Sequence, residues 1–472
     1  MSVLGGLAPD TAGRRREQRG WCWYDWANSV FPTSVTTVFL SLYLTGVATE
    51  SATADLARNG PGACPGGNSL VHCDVSVLGL VFPAGSLWGY LLSAATVVQV
   101  LVLPITGAIA DRTRGKRTML AGFAFGGALA TSLLGLVGSS NWRLGIVLFI
   151  AANICFGASV VVYYSFLPQI ASTEERDRVS SRGWAFGYLG GGCALALHLL
   201  LYLGHDAIGL SESAAVRWIF VSAGVWWAVF TLLPLAALRG RPVHGNDEPT
   251  GDERGVAVIT AGFRQLAGTL RQARAFPLTL AFLGSYMIYT DGIATVTQVS
   301  AQYGDLELRL PQESLIITFL IVQFIAFIGG VLHGVLASRI GAKKTILVSL
   351  VVWIVVLAAA YFVQSGQQFQ FYGLAVGIGL VLGGTNALSR SLFSQMVPEG
   401  KEAEYFSLYE VGERSTSWLG PLVFAGVGQA TGSFRLAIVS LVVFFAVGLV
   451  LVSLVPVRRA IEAVGNTAPE RL

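Results

Sequence analysis

Few side chains in this chain can do chemistry, and the first of them is Asp291, in the phrase YTDGIATV. The apolar run around it starts near Phe276, so Asp291 lies ~22 Å along a helix, past the middle of a bilayer. A carboxylate at that depth is costly unless it meets a polar cavity or a partner. Tyr289 precedes it and Thr295 follows four residues on, which gives the helix a polar face. Two readings are open: a site that binds substrate or takes up and releases a proton, or a pair with a neighbouring helix. Glu410 and Arg414 stand four apart in a later apolar run, spaced for an intrahelical ion pair. Arg414 keeps its charge and offers a planar fork to a substrate carboxylate, or it is locked to Glu410 or Glu413 as scaffold. In GWCWYDWANSVF, Asp25 and Ser29, and Tyr24 and Asn28, fall on single helix faces. Asp25 is either part of a transport path or an interfacial aspartate in an ordinary first helix. Asn386 and Arg390 share another run, placed to line an exit or bind a gate.

No other chemistry stands out. The five His (His72, His198, His205, His244, His333) are scattered and pair with no nucleophile, and no metal-ligand spacing occurs. His198 and His333, inside helices, read as packed partners. A Gly-x-x-x-x-Gly-Lys-Ser/Thr loop is absent, which disfavours an ATP-driven pump. Neither an enzyme nor a cofactor or metal is expected.

The elements that must hold these residues are membrane helices. Of the 472 residues, 53% are hydrophobic and only 12% charged, with mean hydropathy +0.63. Soluble domains carry about 25% charged residues. About twelve apolar runs of bilayer-crossing length lie between residues 24 and 456, which predicts an all-α membrane protein. Of the 31 Lys and Arg, 25 fall in the loops of one side, the middle linker or the ends. Arg58, Arg143, Arg217, Arg309 and Arg435 lie opposite and Arg414 lies in a helix. The positive-inside rule then puts both termini in the cytoplasm. Net charge is only +4, so nucleic acid is not the implied partner.

Polar residues 238–275 divide the chain into an N-terminal six-helix half (1–237) and a C-terminal one (276–456), with a cytoplasmic tail at 457–472. The halves echo each other: GAIADRTRGKR follows the second run and GVLASRIGAKK the eighth. Repeated halves that rock about a central site are a mark of secondary transporters. Cys64 and Cys73, nine apart in the long first outside loop, are either a disulfide or two free thiols.

GAIADRTRGKR resembles the signature loop of the major facilitator superfamily, with one extra residue between Arg112 and Gly115. YDWANSVF, YYSFLPQIA, VSSRGWAFGYLGGG, YTDGIATV, GGTNALSRSLF and EYFSLYEVGERSTSWLGP resemble its vacuole-effluxer-like branch, which includes the autophagy-related amino-acid effluxer of fungal vacuoles. Tyr164 and Asn386 depart from the branch, where Asn and Gln are expected. The resemblance implies two pseudo-symmetric six-helix bundles that move a small solute, an amino acid first of all, by alternating access. Protons are a candidate coupling ion, and a drug or metabolite exporter working as a proton antiporter is the alternative. It also implies a cytoplasmic gate built from Gly107, Asp111, Arg112, Gly115, Lys116 and Arg117, with Arg390 beside it. Glu174, Glu175, Arg176 and Arg178 read as a solvated loop. A monomer in the lipid bilayer of a bacterial plasma membrane is expected.

Overall fold

The chain enters the membrane as one long rod whose winding changes part-way. Helix α1 (Thr11–Asn28) leads into a π-wound stretch, Phe31–Leu40, and that into α2 (Ser41–Ala54). Pro32 causes the change, because it has no N–H for the carbonyl four residues back. Thr37 Oγ1 donates to the Pro32 carbonyl, five residues back, at 2.8 Å. Such π segments inside helices are frequent at functional sites.

The computed structural model describes residues 11–64, 72–84, 87–112, 115–172, 174–238, 268, 271, 274–431 and 433–472. After α2 a hairpin, β1 (Asp74–Val77) and β2 (Leu80–Pro83), turns tightly at Leu78 and Gly79, both at positive φ. The structure joins Cys64 to Cys73 beside it. Loop-closure entropy sets that bridge at about 2–3 kcal/mol. Cys64→Ser/Cys73→Ser should therefore melt below wild type, and a reductant should lower wild type towards the variant without moving the variant.

The remaining long N-terminal helices are α3 (Leu87–Arg112), α4 (Lys116–Leu133), α5 (Trp142–Tyr164), α6 (Arg176–Leu203) and α7 (Glu212–Ala237). The C-terminal set is α8 (Pro277–Gln302), α9 (Gln312–Ile340), α10 (Ala342–Ala360), α11 (Gln368–Gln395), α12 (Glu402–Thr416), α13 (Leu419–Thr431), α14 (Phe434–Ser440) and α15 (Val442–Leu454), then α16 (Val457–Ala463). Among the described residues, ten helical stretches are long and apolar enough to cross a membrane. Two expected runs are absent from those ten, α8 and the pair α12–α13. Both are helical, but Asp291 and its polar neighbours in α8, and Glu410, Glu413 and Arg414 in α12, dilute their hydropathy. The proposed linker, 238–275, lies almost wholly outside the described residues.

The helices before residue 238 pack mainly on one another, as do those after 276, and two crossings join the sets. One is α6 against α9 and α11; the other is α12 against α3 and α5. Helix α6 also packs on α1, along a stripe of Gly183, Gly187 and Gly191. A Cβ at Gly183 would lie 2.6 Å from Asp25 Oδ2 and 2.7 Å from the Trp21 ring. Gly183→Ala should therefore push α1 and α6 apart, lower the melting temperature and cut transport several-fold. An unchanged melting curve would contradict this packing. His198 and His333 are packed partners, held by Ser34 and Ser222 and by the Gly329 carbonyl and Ser349.

Candidate functional site

A cavity of about 430 Å³ lies between the two sets of helices. Its wall at the end away from the chain termini uses residues near the ends of α8 and α9, such as Tyr303 and Leu315. The π-wound stretch contributes Pro32, Thr33 and Thr37, and α6 contributes Trp184 and Tyr188. Most of the wall is apolar. Trp184, Thr290, Gln323 and Asn386 also line it, and one polar atom of each (Nε1, Oγ1, Oε1 and Oδ1) lies buried behind the wall with no hydrogen-bond partner among the described residues. Buried polar atoms are rarely left unpaired, so four just behind one cavity wall mark a place where small turns of these side chains would offer bonds to a polar ligand.

Beneath Trp184 the cavity is closed by Arg390, which is fully buried. Its guanidinium donates to Ser180 Oγ at 2.9 Å, to the Ser180 carbonyl at 2.8 Å and to Asp25 Oδ2 at 3.4 Å. The Tyr163 hydroxyl donates to the same Asp25 oxygen at 2.8 Å. Aromatic faces enclose the cation: Tyr164 at 4.7 Å, Trp21 at 4.8 Å and Trp184 at 5.5 Å. Arg390 comes from α11, whereas Asp25, Ser180 and the three rings come from α1, α5 and α6. One buried cation thus ties the two sets of helices together at the end where the chain termini lie.

Other contacts reinforce this closure. Arg176 Nη1 donates to the Ser394 carbonyl at 3.2 Å, and Lys116 Nζ lies 4.0 Å from Glu402 Oε2. The stretch Glu174–Arg178 is accordingly more than the solvated loop its sequence predicts. Glu175 receives Arg14 and Gln18, and Arg176 crosses to the other set of helices. Burial pushes the Glu175 carboxyl up, but the Ser172 N–H and Arg14 outweigh it and hold it below the usual carboxylate value. This fastening is complete at neutral pH and weakens only as pH falls through that lowered value. Of the expected gate loop, Gly107 lies inside α3, Gly115 caps α4, and Arg117 is exposed. The side chains of Asp111 and Arg112 lie outside the described residues.

Asp291 has a different surrounding. Its Oδ2 accepts the Gly420 backbone N–H at 2.9 Å, and its Oδ1 is buried on the side of Thr295. Gly420 lies in the first turn of α13, where the eleventh run breaks after Thr416. The carboxylate therefore meets the positive N-terminal end of a half-helix. The cavity wall at this level is Thr290, Ala294 and Thr297, on the other side of α8. Thr295 is buried beside the Asp291 carboxyl, and the Tyr289 hydroxyl pairs with Ser389 Oγ at 2.6 Å. Arg414 Nη2 donates to Glu410 Oε2 at 3.3 Å, the intrahelical pair foreseen as one alternative. Asn28 is buried on α1 one turn from Asp25, and Ser29 Oγ donates to the Asp25 carbonyl at 2.6 Å.

Several residues of the site escape a reading of the sequence. Ser180 and Trp184 have ordinary types, and only their place in VSSRGWAFGYLGGG singles them out. Glu413 lines the cavity, with Oε2 held by the Tyr286 hydroxyl at 2.7 Å, and Tyr286 stacks on Tyr409 at 4.2 Å.

The family described as "Vacuole effluxer Atg22 like" matches residues 13–465. An uncharacterized MFS-type transporter of Bacillus subtilis, YxiO, is 27% identical, over 93% of this chain and 95% of its own. Autophagy-related protein 22-2 of Emericella nidulans is 26% identical, over 94% and 91%. Among solved structures, the transporter FucP in its outward conformation superposes with a TM-score of 0.63 at 12% identity, over 93% of this chain and 99% of its own. A bacterial homologue of the iron transporter ferroportin, in an outward-facing state, gives 0.59 at 16% identity, over 96% and 99%. The helical fold, the family match and these neighbours make the chain a multi-pass membrane transporter rather than an enzyme, and a member of the vacuole effluxer Atg22-like branch of the major facilitator superfamily.

Proposed function

We propose that the chain is a secondary transporter that moves an amino acid across a bacterial plasma membrane by alternating access. In this reading twelve crossings form two six-helix bundles, and both chain ends lie in the cytoplasm, as the Lys and Arg distribution supports. The observation that carries it is the cavity with four unpartnered buried polar atoms, sealed on one side by the Asp25–Arg390 pair. A cavity open on one side and latched on the other is one half of an alternating-access cycle. The inward-facing half requires the latch to part, and ligand contacts on Trp184 would reach Arg390 through the ring they share. Asp291 is the proposed proton carrier, because it is a carboxyl buried at membrane depth and one of its oxygens holds the broken helix. The family name speaks of efflux from vacuoles; the amino-acid assignment comes from that resemblance, and the relatives do not favour the drug-exporter alternative.

Radiolabelled amino-acid flux in proteoliposomes, with and without an imposed proton gradient, tests the reading. Accumulation driven by the gradient is expected. Absence of flux for every amino acid, with folded protein confirmed, would overturn the substrate assignment.

A further inference from the structure

We infer that Glu413 recognises the substrate, and that the substrate is an amphiphile with an ammonium group beside an apolar body. This rests on the reading of the cavity as the transport site. Among the described residues that line the cavity, Glu413 is the one acid, and no Lys, Arg or His accompanies it. It stands eleven residues into α12, about 16 Å along the helix and so near the middle of a bilayer.

Its surroundings leave it ready for a cation. Oε2 is fixed by Tyr286, whose ring is in turn braced by Tyr409. Oε1 carries no hydrogen bond among the described residues. The cations nearby are committed elsewhere, since Arg414 is turned to Glu410 and Arg390 is sealed beneath Trp184 by Asp25 and Ser180. A carboxylate at this depth with no counter-ion is costly, and a ligand cation removes the cost. The Tyr188 ring on the cavity wall adds a face suited to an ammonium.

The rest of the wall completes the substrate class. Leu195, Ile293, Phe319 and Leu382 are apolar and accommodate a hydrocarbon or aromatic body. Asn386, Gln323 and Trp184 offer neutral polar groups, enough for a carboxylate, amide or hydroxyl. With no positive side chain on the wall, a substrate of net negative charge finds no counter-charge. Zwitterions and cations fit; anions do not.

The test uses the full chain purified in detergent and four probes: phenylalanine, phenylalaninamide, N-acetylphenylalanine and N-acetylphenylalaninamide. The two amides differ at the amine alone, a charged ammonium in one and a bulkier neutral acetamide in the other. Binding is read from the dose dependence of the melting temperature. Phenylalaninamide should bind wild type at least about tenfold more tightly than its acetylated form, as expected for a charge pair out of water. Glu413→Gln keeps an acceptor for Tyr286, so it should fold normally and lose that discrimination. Tyr286→Phe, which frees the carboxylate without removing it, should keep the preference for the ammonium.

Equal binding of the two amides to wild type would overturn the inference. So would a Glu413→Gln variant that still prefers the ammonium, or one that loses affinity for all four probes alike, which marks a scaffold role. No shift with any ammonium-bearing probe would also overturn it. If phenylalaninamide binds through Glu413 but no amino acid is transported, the amino-acid assignment fails while the ammonium site stands.

Discussion

Asp25→Asn should abolish transport and weaken the closure at the end where the chain termini lie. Arg390 is fully buried and keeps its charge at any accessible pH. Removing the carboxylate that it bonds strands that charge, at a cost of about 3–5 kcal/mol. The cost falls on the closed latch, because an inward-facing cavity would let water reach the guanidinium. A bias of about 5.5 kcal/mol carries a two-state equilibrium from 1:99 to 99:1, so the variant should spend most of its time unlatched. The pair also predicts the sign of a coupling. Arg390→Met removes the charge and keeps most of the volume, so Asp25→Asn/Arg390→Met should melt above Asp25→Asn alone. Additive losses would mean that the two residues act separately.

The second large effect is expected at Asp291, where two substitutions should part company. Asp291→Asn keeps an oxygen for the Gly420 N–H, so the break between α12 and α13 stays capped. It cannot carry a proton. Gradient-driven accumulation should vanish, while exchange of labelled for unlabelled substrate persists within a few-fold of wild type. Asp291→Ala also removes the cap, at about 1–2 kcal/mol, and should lose both activities and melt lower. Accumulation by Asp291→Asn at the wild-type rate would remove Asp291 from the coupling path.

Composition and period made the helices legible, because a chain this apolar must hide its backbone in helices if it crosses a bilayer. What the sequence could not show was pairing across 365 positions. Asp25 and Arg390 were each conspicuous as charges in apolar surroundings, yet nothing in their spacing says that they meet. Asp291 shows the converse. Its depth was readable, but its direction was not, and rotation of α8 turns it towards α13 while Thr290 and Thr297 face the cavity. Glu413 sat beside Glu410 and Arg414 as one more charge in a cluster. Only the fold shows that Glu410 and Arg414 satisfy each other and leave Glu413 at the cavity.

The central claim is that the Arg390 latch holds the opposite end open, and a distance across that end tests it most directly. Spin labels at Leu203 on α6 and Phe362 after α10, both exposed, report the separation of the two sets of helices there. Wild type should show one predominant long distance. Asp25→Asn and Arg390→Met should each move weight to a shorter one, as the cavity mouth closes when the latch opens. Distributions that match wild type in both variants would contradict the account.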